Sequence, residues 1–193
     1  MKRLICVLFL VGVFLTSCSQ RTITRTNPGL ITDLSGRWND TDARMVAHSL
    51  VEKILTGAWL SNHIRNVEDS PYITVGRVVN ATTEHLETDT FMDEIESALI
   101  ASGEVYLIAR MNERQGIRAE RADQTLFSSG ETAAEWGNET GAQYVITGTI
   151  RTIVDEYGDE RVIYYQISLD ITNTETNVKV WSGNHELKKI LEW

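Results

Sequence analysis

The residue best equipped for covalent chemistry is Cys18, which closes the segment Leu15-Thr16-Ser17-Cys18 behind a short apolar run. A thiol just past a small-residue cleavage point can take a diacylglycerol as a thioether, and the amino group freed by cleavage can then be acylated. The flanks fit that chemistry. Met1-Lys2-Arg3 is a cationic start, Leu4 to Leu15 an apolar core, and small residues precede the cysteine, which is the layout of a secretory signal rather than of a membrane span. Roughly a dozen apolar residues fall short of the ~20 that a helix needs to cross a bilayer. Processing is expected to remove residues 1–17 and leave lipid-bearing Cys18 at the start of the mature chain. Each buried methylene of an acyl chain contributes about 0.8 kcal/mol, so two or three chains anchor permanently where one alone is marginal.

Other residue types with catalytic potential fall in no productive pattern. The chain has no HExxH, GxSxG, SxxK, P-loop or GxGxxG motif. His48, His63, His85 and His185 are scattered without metal-type spacing, and His48, four residues after Arg44 on a helix, reads as a surface residue. Glu84, Glu87 and Asp89 would suit a glycosidase only at a fixed separation about a sugar, and 27 acidic residues produce such clusters by chance. Asp155 to Glu160 has spaced oxygens but lacks the ordered ligands and final glutamate of a calcium loop. A hairpin turn is the expectation there. No catalytic residue, metal or cofactor is expected beyond the lipid on Cys18.

Charge narrows the partners. The formal net charge is −9, and without Lys2 and Arg3 the chain keeps 16 basic against 27 acidic residues, or −11. Nucleic acids and anionic surfaces are bound through clustered Lys and Arg. The one dense basic region, Arg110 to Arg121, alternates with Glu113 and Glu120, as on a solvated helix laced with ion pairs. Cys6 leaves with the signal and Cys18 is consumed by lipid, so no disulfide is available and stability must come from a packed core. The residues after Asp33 suffice for one domain burying about 70% of its unfolded surface. Three segments are thus expected: a signal at 1–17, a lipidated cysteine with a short tether at 18–32, and one domain at 33–193. The 14 tether residues after Cys18 reach about 50 Å when fully extended.

Hydrophobic periodicity supplies the elements. After the capping side chains of Asn39-Asp40-Thr41, a helical stripe runs through Ala43, Val46, Ala47, Leu50, Val51, Ile54 and Leu55. Tyr72 to Val79 reads as a strand. Thr88 is placed to cap a second helix that buries Phe91, Ile95 and Leu99 and ends at a left-handed Gly103. Val105 to Ala109 is a short strand, and a polar helix from about Asn112 to Arg121 is weakened by Gly116. Ser128 and Glu131 have capping-box spacing for a short helix through Trp136 that Gly141 can end. Three strands then follow, Tyr144 to Val154, Arg161 to Thr172 and Val178 to Leu187, with a period of two in which Ile163, Tyr165, Ile167, Leu169 and Ile171 face the core. The order predicts an α+β domain, its helices packed on a mixed, mostly antiparallel sheet of four or five strands.

Three segments carry a resemblance: Asp33-Leu34-Ser35-Gly36-Arg37-Trp38-Asn39-Asp40-Thr41-Asp42, Gly141-Ala142-Gln143-Tyr144-Val145-Ile146-Thr147-Gly148, and Thr176-Asn177-Val178-Lys179-Val180-Trp181-Ser182-Gly183. Together with the signal they resemble the LpoB family of penicillin-binding protein activators, across essentially the whole domain. Looser versions occur in the CsgG group and in the N-terminal domain of TolB. The resemblance implies a TolB N-terminal-domain-like sheet and an outer-membrane lipoprotein facing the periplasm. Ser19 after the cysteine resembles the sorting signal for that membrane in lipoproteins of diderm bacteria. It further implies a protein without catalytic activity that binds and stimulates a bifunctional peptidoglycan synthase. The best-known members have a long, proline-rich linker, whereas this tether is short. Readings of other classes are a CsgG-related assembly lipoprotein, against which the absence of an amphipathic membrane-spanning hairpin argues, and a cell-wall hydrolase. Structural roles come first for Trp38, Tyr144, Ile146 and Trp181, which are expected to pack. For a partner surface, exposed aromatic and long polar side chains on rigid strands are the best candidates, namely Arg151, Tyr164 and Gln166.

Overall fold

The computed structural model describes residues 23–193 apart from 133, 135, 136 and 138. The expected signal, Cys18 and the start of the tether lie outside the described residues. The chain divides at Ile31/Thr32 into two units. In the described part of the first, Asn27 folds a turn over Pro28, its side-chain oxygen accepting from the Gly29 N–H at 2.9 Å and its carbonyl from the Leu30 N–H at 3.0 Å.

The second unit opens on α1 (Asp40–Leu55), started by a reciprocal cap: the Asn39 side chain accepts from the Asp42 N–H, and the Asp42 carboxylate accepts from the Asn39 N–H. Its predicted stripe is buried as far as Ile54, with Leu55 at the rim. A second helix that periodicity did not predict follows, α2 (Ala58–Val67). It buries only Trp59, Leu60 and His63, too few apolar residues to stand out, and the Trp59 indole N–H fastens it to the Ile54 carbonyl at 2.8 Å. Then come β1 (Tyr72–Asn80) and α3 (Thr88–Ser102), which buries Phe91, Met92, Ile95 and Leu99 and ends at Gly103 with φ 67°. Thr88 is the first helical residue rather than the cap, a place taken by Glu87 without a side-chain bond.

Next are β2 (Tyr106–Leu107), shorter than predicted, and α4 (Met111–Phe127), longer. Ser128 closes α4, its N–H donating to the Gln124 carbonyl. It therefore does not open the short helix expected at Ser128 to Trp136. The described residues from Ser128 to Gly141 carry no helix, so Gly141 terminates none. Part of that expectation, including Trp136, lies outside the described residues. The chain finishes with β3 (Tyr144–Tyr157), β4 (Glu160–Asn173) and β5 (Lys179–Glu192).

These strands form one sheet in the order β2-β1-β3-β4-β5, parallel at β1/β2 and β1/β3 and antiparallel through the long β3-β4-β5 meander. The architecture is the predicted α+β class. One face carries the core, in which Ile146, Ile150, Ile163, Tyr165, Ile167, Leu169 and Ile171 meet the apolar faces of α1, α2 and α3. Tyr144 also faces inward, and Trp181 packs at the margin. Trp38 seals the entry to the domain between Phe91 and Tyr165, ring centroids 6.0 and 5.7 Å away. Its backbone N–H donates to the Tyr165 hydroxyl at 3.0 Å, and that hydroxyl donates to Glu84 at 2.9 Å. Burial first, and then the Glu84 carboxylate, pushes the Tyr165 pKa far above its ordinary value.

The sequence pattern stopped β5 at Leu187 because Lys188-Lys189 breaks the apolar alternation. Lys189 nevertheless points to the core side, opposite Ile163, and is only 8% exposed. Three acceptors make this possible: Asp42 at 2.6 Å, Asp33 at 2.8 Å and the Arg37 carbonyl at 3.0 Å. Removing one partner of a buried ion pair strands the other charge. Lys189→Ala is therefore expected to lower the unfolding free energy by about 3 kcal/mol in urea titration, whereas Glu52→Ala, at an exposed position on α1, stays within about 0.5 kcal/mol.

Candidate functional site: the open face of the sheet

Side chains alternate across a strand, so the residues between the core-facing ones of β3 and β4 form the second face. These are Val145, Thr147, Thr149, Arg151 and Ile153 on β3, and Val162, Tyr164, Gln166, Ser168 and Asp170 on β4; none belongs to the core cluster. The buried apolar residues of the helices all join the core on the opposite side, and α4 buries none. No described helix covers this face.

Register brings the three sequence-predicted contact residues together. Arg151 stands opposite Gln166, and Ile153 opposite Tyr164. On the next strand Glu186 faces Gln166 and Lys188 faces Tyr164. Arg151, Ile153, Tyr164 and Gln166, with Thr152, line a hollow of about 130 Å³. Arg151 is exposed, Tyr164 and Gln166 half-buried, and Ile153 is 66% exposed, an apolar side chain amid hydrogen-bonding groups. Burial first, and then the neighbouring Glu186 carboxylate, raises the Tyr164 pKa. The arrangement can grip a protein surface: a guanidinium, a phenol and an amide on rigid strands around a small apolar recess. Among the described residues, no group of three His, Cys, Asp or Glu is placed to hold a metal ion.

Ile153, Glu186 and Lys188 were missed as members of this surface, and a signal for the first was present. Gly158, with φ 60°, and Asp159 make a two-residue loop between Tyr157 and Glu160, and glycine at the first position of such a loop is a hairpin signature. Counting back along both strands from that loop sets Arg151 against Gln166 and Ile153 against Tyr164.

Most of the remaining chemical candidates have structural partners. Glu84 accepts from Tyr165, Glu87 lies 2.9 Å from His85, and Asp89 sits in the first turn of α3. The basic run is occupied by carboxylates. Arg110 meets Glu96 at 2.9 Å and also Asp93, and Arg118 and Arg121 both bond Glu139, at 2.8 and 3.0 Å. The hydrogen bond from Arg118 is the main cause holding the Glu139 pKa at about 2. His48 is exposed. His63 and His185 are not: their Nδ1 atoms lie 2.9 Å from the Tyr144 hydroxyl and the Ser49 hydroxyl respectively.

The family model for LpoB, described as peptidoglycan-synthase activator LpoB, matches residues 42–187. Among solved structures, the C-terminal domain of LpoB from Escherichia coli is similar, at 18% identity over 76% of this chain and 98% of that one, with a TM-score of 0.48. The corresponding domain from Salmonella enterica is 17% identical over the same shares, with a TM-score of 0.45. The NMR structure of E. coli LpoB is 14% identical over 93% of this chain and 85% of that one, with a TM-score of 0.42. No curated protein sequence matches. Among the described residues, no helix is long and apolar enough to cross a membrane.

The two enclosed imidazoles make stability depend on pH. Burial is the main cause lowering both pKa values, opposed by Asp69 at His63, and at His185 reinforced by Lys53 and opposed by Glu186. The unfolded chain therefore takes up these protons near the ordinary 6.5, and the folded chain only at lower pH. Stability is whole above that value and declines as pH falls from it toward the lowered folded pKa. Urea unfolding at about pH 7.5 and pH 5.5 should show a loss at the lower value, and His185→Asn should shrink that loss.

Proposed function

Because the chain belongs to the LpoB family of peptidoglycan-synthase activators, we propose that it is a lipid-anchored regulator that binds a peptidoglycan synthase and raises its rate without itself performing catalysis. The single observation that carries this reading is the match of the family across residues 42–187, which spans α1 to the middle of β5. The lipoprotein layout ending at Cys18 supports an anchor in the outer membrane with the domain in the periplasm. The proposed organisation is a removed signal at 1–17, a lipidated Cys18 with its tether to 32, and the domain from 33 onward.

Arg151, Tyr164 and Gln166 are the proposed contact residues, because an uncovered face with an arginine, a tyrosine and a small apolar recess is suited to anchor a partner. Activation then follows from differential binding. A regulator shifts its target only by the difference in its affinity for the active and inactive conformations. A rigid strand surface loses little conformational freedom on docking, so more of the contact energy is free to favour one conformation.

Pull-down from solubilised envelope should recover a penicillin-binding protein, and the purified chain should raise the glycan-polymerising rate of that protein. Tyr164→Ala and Arg151→Ala are each expected to weaken the complex about tenfold or more and to reduce stimulation in parallel, while Lys53→Ala on α1 leaves both unchanged. Recovery of only outer-membrane proteins, or clearing of purified sacculi by this chain alone, would contradict the reading.

A further inference from the structure

A second candidate site lies on the helix side of the sheet, away from Tyr164. One face of α2 supplies Trp59, Asn62, His63 and Asn66, spaced i, i+3, i+4 and i+7, and with Tyr144 of β3 and Val180 of β5 it borders a half-open hollow of about 360 Å³. That volume is in the range of pockets that hold small ligands. None of its lining side chains is a carboxylate, an ammonium or a guanidinium, although 23% of the chain is charged.

The groups that remain are suited to a neutral, hydroxyl-bearing ligand. Trp59 and Tyr144 meet edge to face with centroids 5.4 Å apart and give a rigid apolar wall. His63 is 6% exposed. Its Nδ1 lies 2.9 Å from the Tyr144 hydroxyl, but its Nε2 is buried without a hydrogen-bond partner, a costly condition in a folded protein. Burial is the main cause lowering its pKa, and a neutral imidazole offers one donor and one acceptor. Asn62 and Asn66 stand exposed one turn apart, each with an amide that both donates and accepts. Asparagine and histidine are poor helix formers, so the stability of α2 does not account for three of them on one face.

We propose that this cavity binds a neutral N-acylated amino sugar. The exposed edges of the aromatic wall take the apolar face of the ring, the asparagine amides meet the acylamino group, and a hydroxyl that displaces the cover over His63 reaches its unpaired nitrogen. The neutral, hydrogen-bonding character of the ligand rests on the cavity lining, and the choice of an acylated amino sugar rests on the function proposed above, because the glycan of the cell wall repeats such sugars.

The test is a titration of the isotope-labelled full chain in detergent micelles with N-acetylglucosamine and, separately, with glucose, each to about 50 mM, the range in which single-sugar affinities of a few kcal/mol are read. Saturable NMR shifts are expected at the side chains of Asn62, Asn66 and His63 with the acylated sugar and not with glucose. Asn62→Ala and Asn66→Ala, exposed and compatible with the helix, should each weaken binding about tenfold while the rest of the spectrum stays unchanged. Absence of saturation, equal shifts with glucose, or undiminished binding in both variants would overturn the proposal. Because the readout is free sugar on the helix side, it is separate from synthase binding on the open face, and either result can fail without the other.

Discussion

A lysine ammonium enclosed at the margin of a hydrophobic core is the constraint around which this domain closes. Lys189, near the end of the last strand, has its charge compensated by Asp42 in the first turn of the first helix and by Asp33 ahead of it. The same Asp42 completes the cap that starts that helix. One buried charge thus ties the entry of the domain to its final strand and to the helix between them. Such pairs add little net stability over an apolar substitute, but they penalise every arrangement that leaves a charge unpaired. Trp38, held by Tyr165 and Glu84, adds a second fastening at the same corner.

With the entry fixed to β5 and the helices gathered on one face, the other face of the meander is left open. That asymmetry places polar and aromatic side chains on paired strands. Thr147 and Thr149 lie on the β3 side of the surface, and the arginine, tyrosine and glutamine stand where the β3-β4 hairpin extends beyond β1. A family of activators needs a shape that holds still while its partner changes, and a long antiparallel hairpin provides one.

Legibility in the sequence followed the strength of local signals. The alternation from Ile163 to Ile171 revealed β4 and its inward set, and Asn39, Gly103 and the stripe of α1 placed the first and third helices within a residue or two. Failures have physical causes. α2 escaped because its contact with the core runs through Trp59 and His63 rather than an aliphatic stripe. β5 was cut short because a lysine filled an inward position whose compensation comes from residues about 150 positions away, information that no local window holds. Ser128 and Glu131 had the spacing of a cap, yet the carbonyl of Gln124 claimed Ser128 as the end of α4. At the candidate interface, the identities of Arg151, Tyr164 and Gln166 were readable, but their convergence depends on a register set by the two-residue loop at Gly158-Asp159.

α4 buries none of its residues and is moored by Arg110 at one end and by the carboxylate of Glu139 alongside. Its mooring is ionic, whereas the rest of the fold is held by burial. The helix can therefore melt and reform without disturbing the core, and amide exchange there reports local opening rather than global unfolding. Substitution at its solvent-facing positions other than the mooring arginines thus carries little penalty for the core.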